Sequence, residues 1–103
     1  MSEPFWRLER FGDHLEHWIE QEQPASELRT AVLDWTFALF DNPYAAGLRR
    51  DREQPNFYWG GIAGTIHGEH QVVTCGFWIY EETRTVVCYG YATLSLPCRS
   101  QRG

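Results

Sequence analysis

Residues 57–94 contain three apolar-rich runs, FYWGGIAGTI (57–66), QVVTCGFWIY (71–80) and TVVCYGYATL (85–94), parted by His67-Gly68-Glu69-His70 and Glu81-Glu82-Thr83-Arg84. Each run has the length of a strand in a small sheet. Links this short join only antiparallel neighbours, because a parallel crossover needs a dozen residues or more. The stretch therefore predicts a three-stranded antiparallel meander. Side chains alternate along a strand, so Val73, Cys75, Phe77 and Ile79 should share one face, and Val72, Thr74, Trp78 and Tyr80 the other. By the same alternation Val86, Cys88, Ala92 and Leu94 should oppose Thr85, Val87, Tyr89 and Tyr91. Gly60-Gly61, inside the first run, suggests a bulge or a strong bend.

Upstream, Phe5-Trp6-Arg7-Leu8-Glu9 alternates as an opening strand would, and Gly12-Asp13 breaks the pattern, with Asp13 placed to cap a helix. Leu15, Trp18, Ile19 and Glu22 then show amphipathic helical spacing. Gln23-Pro24-Ala25-Ser26 ends that helix. Ser26 is a second N-cap candidate, ahead of Leu28, Val32, Trp35 and Leu39 on one helical face. Asp41-Asn42-Pro43 stops the second helix, because the residue before proline avoids helical backbone angles. The join between the helices is short, so they should form an antiparallel hairpin whose apolar stripe covers one sheet face. The fold class is α+β: an opening strand, then a helical hairpin packed on an antiparallel meander. Residues 1–96 are expected to form one domain, with 97–103 a flexible tail. Residues 44–56 read as the one long connection, and they hold Arg49, Arg50 and Arg52.

At 103 residues, 43% hydrophobic, with five Trp, five Tyr and six Phe, the chain can bury a core, which excludes general disorder. A net charge of −5 argues against a broad electropositive footprint for nucleic acid. No apolar run approaches the roughly 18 residues of a membrane span, and residues 1–4 lack the features of a signal peptide, so a cytoplasmic location is expected and no membrane partner. Three cysteines, Cys75, Cys88 and Cys98, leave one unpaired under any pairing, which suits a reducing compartment. Cys75 and Cys88 should lie nearly opposite each other as buried thiols.

The order of a strand, a helical hairpin, Phe40-Asp41-Asn42-Pro43, Leu48-Arg49-Arg50, the Trp59–Ile66 strand and Tyr80-Glu81-Glu82-Thr83-Arg84-Thr85-Val86-Val87 resembles the RelE/ParE superfamily of bacterial type II toxin–antitoxin toxins. The resemblance runs from about Phe5 to Leu94. It implies a cognate antitoxin as partner, a target in translation (ribosome-dependent messenger cleavage) or in DNA gyrase, and the option of a homodimer. It also brings departures. Residues 57–66 carry no Lys or Arg, and the place of the family's arginine at the next strand reads His70-Gln71-Val72-Val73-Thr74. A pentacoordinate phosphorane needs cationic stabilisation, so weak endoribonuclease activity at most is expected.

Arg49, Arg50 and Arg52 are the binding candidates, since guanidinium groups fork onto phosphates or carboxylates; the alternative is a solvated charge cluster beside Asp51 and Glu53. Arg99 and Arg102 could extend that basic patch. His67 and His70 are candidates for general acid or base, because imidazole titrates near neutrality, and Tyr91 joins them as a catalytic candidate. The pairs His14/His17 and His67/His70 have metal-like spacing but no cysteine nearby, so no metal and no cofactor is expected. Trp78, Tyr80 and Tyr89, with Trp59 and Tyr91, could form a stacking or protein-binding platform. Two readings stay open. One is a RelE/ParE-like toxin module with a degenerate site; the other is a non-catalytic interaction or inhibitor protein of phage or mobile-element origin.

Overall fold

A computed structural model describes residues 6–96. In chain order they form β1 (Arg7–Glu9), α1 (Phe11–Glu22), α2 (Ser26–Ala38), a 3-10 turn (Pro43–Ala46), β2 (Arg49–Arg50), β3 (Phe57–Gly61), β4 (Gln71–Tyr80) and β5 (Thr85–Ser95). The sheet order is β1-β5-β4-β3-β2. β3, β4 and β5 form the antiparallel meander expected from their short links. β1 adds to β5 in parallel, which the intervening hairpin and strands permit, and β2 pairs antiparallel with β3. The result is an α+β fold with a mixed five-stranded sheet.

The helical hairpin covers one face of the sheet. Phe11, Leu15 and Trp18 of α1 and Val32 of α2 join Val73, Cys75, Phe77, Ile79, Val86 and Cys88 in one buried cluster. Cys75 and Cys88 are free buried thiols on this face. Burial, and then the neighbouring Cys88, push the Cys75 thiol well up, which leaves it protonated and inert. Among the described residues, no buried side-chain nitrogen or oxygen lacks a hydrogen-bond partner.

Several local expectations are corrected. α1 begins at Phe11, after Arg10 in the left-handed region, so Asp13 lies in its first turn, where its charge complements the helix dipole, and does not cap it. Ala25, in extended conformation, precedes α2, and Ser26 is already helical. The Asn42-Pro43 step does act as a stop: α2 ends at Ala38, and the Asn42 side chain accepts the Tyr44 N–H to open the 3-10 turn. Residues 44–56 are not one long loop, since they contain that turn and β2. Residues 97–103, including Cys98, Arg99 and Arg102, lie outside the described residues, as does Phe5.

The largest correction concerns β5. Its pairing runs regularly from Tyr80↔Thr85 to Phe77↔Cys88, then shifts so that Gly76 faces Gly90, leaving Tyr89 as an extra residue. Such a bulge breaks strict alternation. Beyond it, Tyr91 and Thr93 pair with Cys75 and Val73 on the helix face, and Ala92 and Leu94 with Thr74 and Val72 on the other. This is the reverse of the simple alternation for those four residues. The Trp18 indole N–H donates to Thr93 Oγ1 at 3.2 Å, and the Tyr91 hydroxyl shares a 2.7 Å hydrogen bond with Thr36 Oγ1. In β3, by contrast, Gly60-Gly61 pairs in register with Cys75 and Thr74, with no bulge.

β3 ends at Gly61, five residues short of the expected Ile66, and Thr65 closes the ladder where it stops. The Ile62 N–H still donates to the Val73 carbonyl, but the chain then turns and removes the acceptor that the Val73 N–H would meet on a longer strand. The fully buried Thr65 Oγ1 takes its place, accepting from Val73 N–H at 3.2 Å while donating to the Ile62 carbonyl at 2.7 Å. Thr65→Val keeps the shape and deletes this group. It should cost about 1–3 kcal/mol, the penalty for a buried unsatisfied donor, with Thr65→Ser closer to the parent. Urea denaturation of the three proteins measures this directly.

Candidate functional site on the open sheet face

The sheet face away from the helices is uncovered, and it holds a groove of about 1150 Å³. Its floor consists of small residues contributed by three adjacent strands, Gly61, Thr74, Gly76, Gly90 and Ala92. One wall is aromatic. Phe57, Trp59 and Tyr89 line it, and Trp78, which does not itself line the groove, packs against Phe57 and Tyr89; the Phe57, Trp78 and Tyr89 ring centroids are 5.0 to 5.7 Å apart. Phe57 lies so close over Gly76 that a Cβ there would sit 2.9 Å from its ring, so glycine is what lets the ring settle on the strand. The opposite wall is aliphatic, made by Ile66, Val72, Leu94 and Leu96.

Three residues bring polar chemistry to this groove. Arg49 in β2 faces it with its guanidinium carbon 5.7 Å from the Trp59 ring centroid, a cation–π contact that leaves the group exposed. His14 and His17, three apart on α1, line the end beside β5, with His14 Nδ1 over Gly90. They carry metal-like spacing, but no group of three His, Cys, Asp or Glu suited to a metal occurs among the described residues. In the sequence the two histidines stand out only by that spacing. Their position over β5 depends on how α1 packs, which their spacing alone does not disclose.

The three arginine candidates are dispersed. Arg49 pairs with Trp59 and Arg50 with Tyr58, so successive residues of β2 put their side chains on opposite faces of the sheet. Arg50 lies at a second, smaller hollow with Tyr44, Tyr58, Tyr80 and Glu81. Arg52 sits in the β2–β3 turn, which Asp51 organises. The Asp51 carboxylate accepts the backbone N–H groups of Glu53 and Gln54, each at 3.0 Å, and the Trp59 indole N–H at 3.3 Å. Asp51 thereby ties the turn to the aromatic wall. Gln54 extends the tie, accepting the Trp78 indole N–H at 3.4 Å.

The acid–base candidates are also separated from one another. Tyr91 packs under the helices, edge-on to Phe11 and tilted against Trp18, and burial pushes its phenol far up, out of reach of neutral-pH chemistry. His67 lies in the 62–70 connection with Nδ1 2.7 Å from the Thr65 carbonyl, so Nδ1 carries the proton and donates. His70 is exposed, with left-handed backbone, on the same connection. Neither lines the groove. Of the aromatic platform, Trp78 and Tyr89 come together, while Tyr80 lies at the far end of β4 beside the smaller hollow.

No protein-family model and no curated protein matches the chain. Among solved structures it is similar to the free state of the E. coli toxin RelE carrying two arginine-to-alanine substitutions. The TM-score is 0.58, over 85% of this chain and 82% of that one, at 12% sequence identity. The fold is RelE-like. At this identity the RelE likeness concerns the path of the chain, so side-chain chemistry has to be read from the residues present.

In the smaller hollow, Tyr44 packs edge-on against Trp6 and Tyr58, and its hydroxyl donates to Glu81 Oε2. Partial burial and then the Glu81 carboxylate push its phenol from 10.0 up to about 12. A phenol with a raised folded-state pKa stabilises the fold fully below its unfolded value, near pH 10, and that contribution is lost as pH rises towards 12. Glu81→Gln should bring the Tyr44 ionisation down towards its ordinary range. Alkaline absorbance titration of the parent, Glu81→Gln and Tyr44→Phe proteins resolves it; the same late phenol in parent and Glu81→Gln would show that Glu81 is not its cause.

Proposed function

We propose that this chain is a toxin-type module of a type II toxin–antitoxin pair, held by a cognate antitoxin protein and acting on translation or DNA gyrase by occupying a partner, with little or no RNA cleavage. The observation that carries the reading is the combination of a RelE-like fold with an open, walled groove on its sheet face whose single guanidinium and two imidazoles stand at opposite ends. In-line cleavage of RNA requires a general base, a general acid and cationic groups around the phosphorane. Among the described residues lining the groove, Arg49 is the only guanidinium and His14 and His17 the only imidazoles. The absence of Lys and Arg from β3 and β4, together with Gln71 at the start of β4, supports binding over catalysis.

Inducible expression in bacteria, alone and with the neighbouring gene, tests the reading. Growth arrest relieved by the neighbour is expected, and translating ribosomes supplied with the purified chain should show no codon-dependent cuts in the messenger. Absence of arrest would instead favour the interaction or inhibitor protein, and efficient cleavage would overturn the non-catalytic part. Alanine at Arg49, Arg50 or Arg52 should each change stability by no more than about 0.5 kcal/mol, since all three are exposed. Because Arg49 and Arg50 face opposite sides of the sheet, the two single variants should report separately on which face the growth phenotype uses.

A further inference from the structure

We infer that the groove on the sheet face receives an extended partner segment that is apolar in its centre and carries a carboxylate near each end. This rests on reading that face as a partner-binding surface, and it adds the chemistry of what binds. The first observation is charge. The chain has 14 Asp and Glu against 9 Lys and Arg, yet no carboxylate lies among the described residues lining the groove. The groups of basic type there stand at opposite ends, Arg49 from β2 and His14 with His17 beside β5, with β4 and β3 between. A ligand with negative groups at both ends matches this arrangement.

The second observation is the lining between those ends. Between the aromatic and the aliphatic walls the floor is made of small side chains, which lets a backbone come close. At about 1150 Å³ the groove exceeds the roughly 300–1,000 Å³ of pockets for drug-sized ligands, which points to a segment of polypeptide. β2 and β5 are three strand spacings apart, about 14 Å, which an extended chain covers in about four residues. Nucleic acid fits less well. A polyanion is held by several phosphate contacts from Lys and Arg, and the groove offers one guanidinium on a chain of net charge −5. The aliphatic wall of Ile66, Val72, Leu94 and Leu96 likewise suits side chains better than bases.

The test selects random dodecapeptides displayed on phage against the intact chain, then measures the enriched peptides in solution by tryptophan fluorescence. Expected are apolar centres flanked by Asp or Glu. Arg49→Glu, at an exposed position, should weaken these peptides about tenfold and shift a repeated selection towards Lys or Arg at one flank. Ala92→Trp, which fills the floor from an exposed position, should weaken them at least as much, and circular dichroism checks that both variants are folded. Basic peptides, or acidic ones indifferent to both substitutions, overturn the inference. So does failure to enrich any peptide, and so does salt-sensitive binding of a uridine oligonucleotide in place of peptide. Growth arrest and peptide binding are separate measurements, so failure of one leaves the other to be judged alone.

Discussion

The insertion of Tyr89 into β5 governs how the two faces of the sheet are composed. Without that extra residue, Tyr91 and Thr93 would face solvent, and Ala92 and Leu94 would face the helices. With it, Trp18 and Thr36 find hydrogen-bond partners in Thr93 and Tyr91, and the helical hairpin packs on a face that is apolar with its polar atoms satisfied. Tyr89 itself stays on the open side, where regular alternation with Val87 already puts it, and its ring packs against Phe57 and Trp78. The local irregularity therefore acts on the residues after it, and completes the core beneath the helices. Gly90, with φ +157°, occupies a conformation that side-chain-bearing residues rarely adopt, next to the bulge.

The groove also depends on glycine in a second way. Phe57 rests directly on Gly76, and Gly76 pairs with Gly90 across the strands, so the centre of the sheet carries almost no side-chain bulk on its open side. Larger residues at these places would fill the floor from which the aromatic and aliphatic walls rise. The wall is in turn anchored from the β2–β3 turn, where Asp51 and Gln54 accept the indole N–H groups of Trp59 and Trp78. Those side-chain bonds fix two large rings that would otherwise be free to turn on an exposed surface.

The fold and the groups in the groove rest on different kinds of residue. Chain path and layer order are RelE-like, and they follow from periodicity, short links and burial, which many sequences satisfy. Acid, base and cation placement depends on single residues. β3 and β4 carry no Lys or Arg, and the groove's basic groups, Arg49, His14 and His17, stand at its ends around a floor of small residues.

The meander, the helical hairpin and the core face of β4 were legible in the sequence, because each rests on local spacing: two-residue alternation, helical recurrence and links too short for a crossover. The clustering of Arg49 and Arg50 in sequence was visible as well, but not their separation, since a strand sends neighbours to opposite faces and nothing in Leu48-Arg49-Arg50 by itself announces a strand. Strand pairing over ten residue pairs decided where β5 bulges and which side Tyr91 takes, and the Thr65 hydrogen bonds close the ladder where β3 stops at Gly61. Those outcomes turn on which partner satisfies a particular N–H group or fills a particular space. Local sequence determines which elements form; only their packing, through hydrogen-bond satisfaction and close approach over Gly76, decides that His14, His17 and Arg49 border one groove, that His67 and His70 lie off it, and that the Tyr91 hydroxyl turns to Thr36 under the helices.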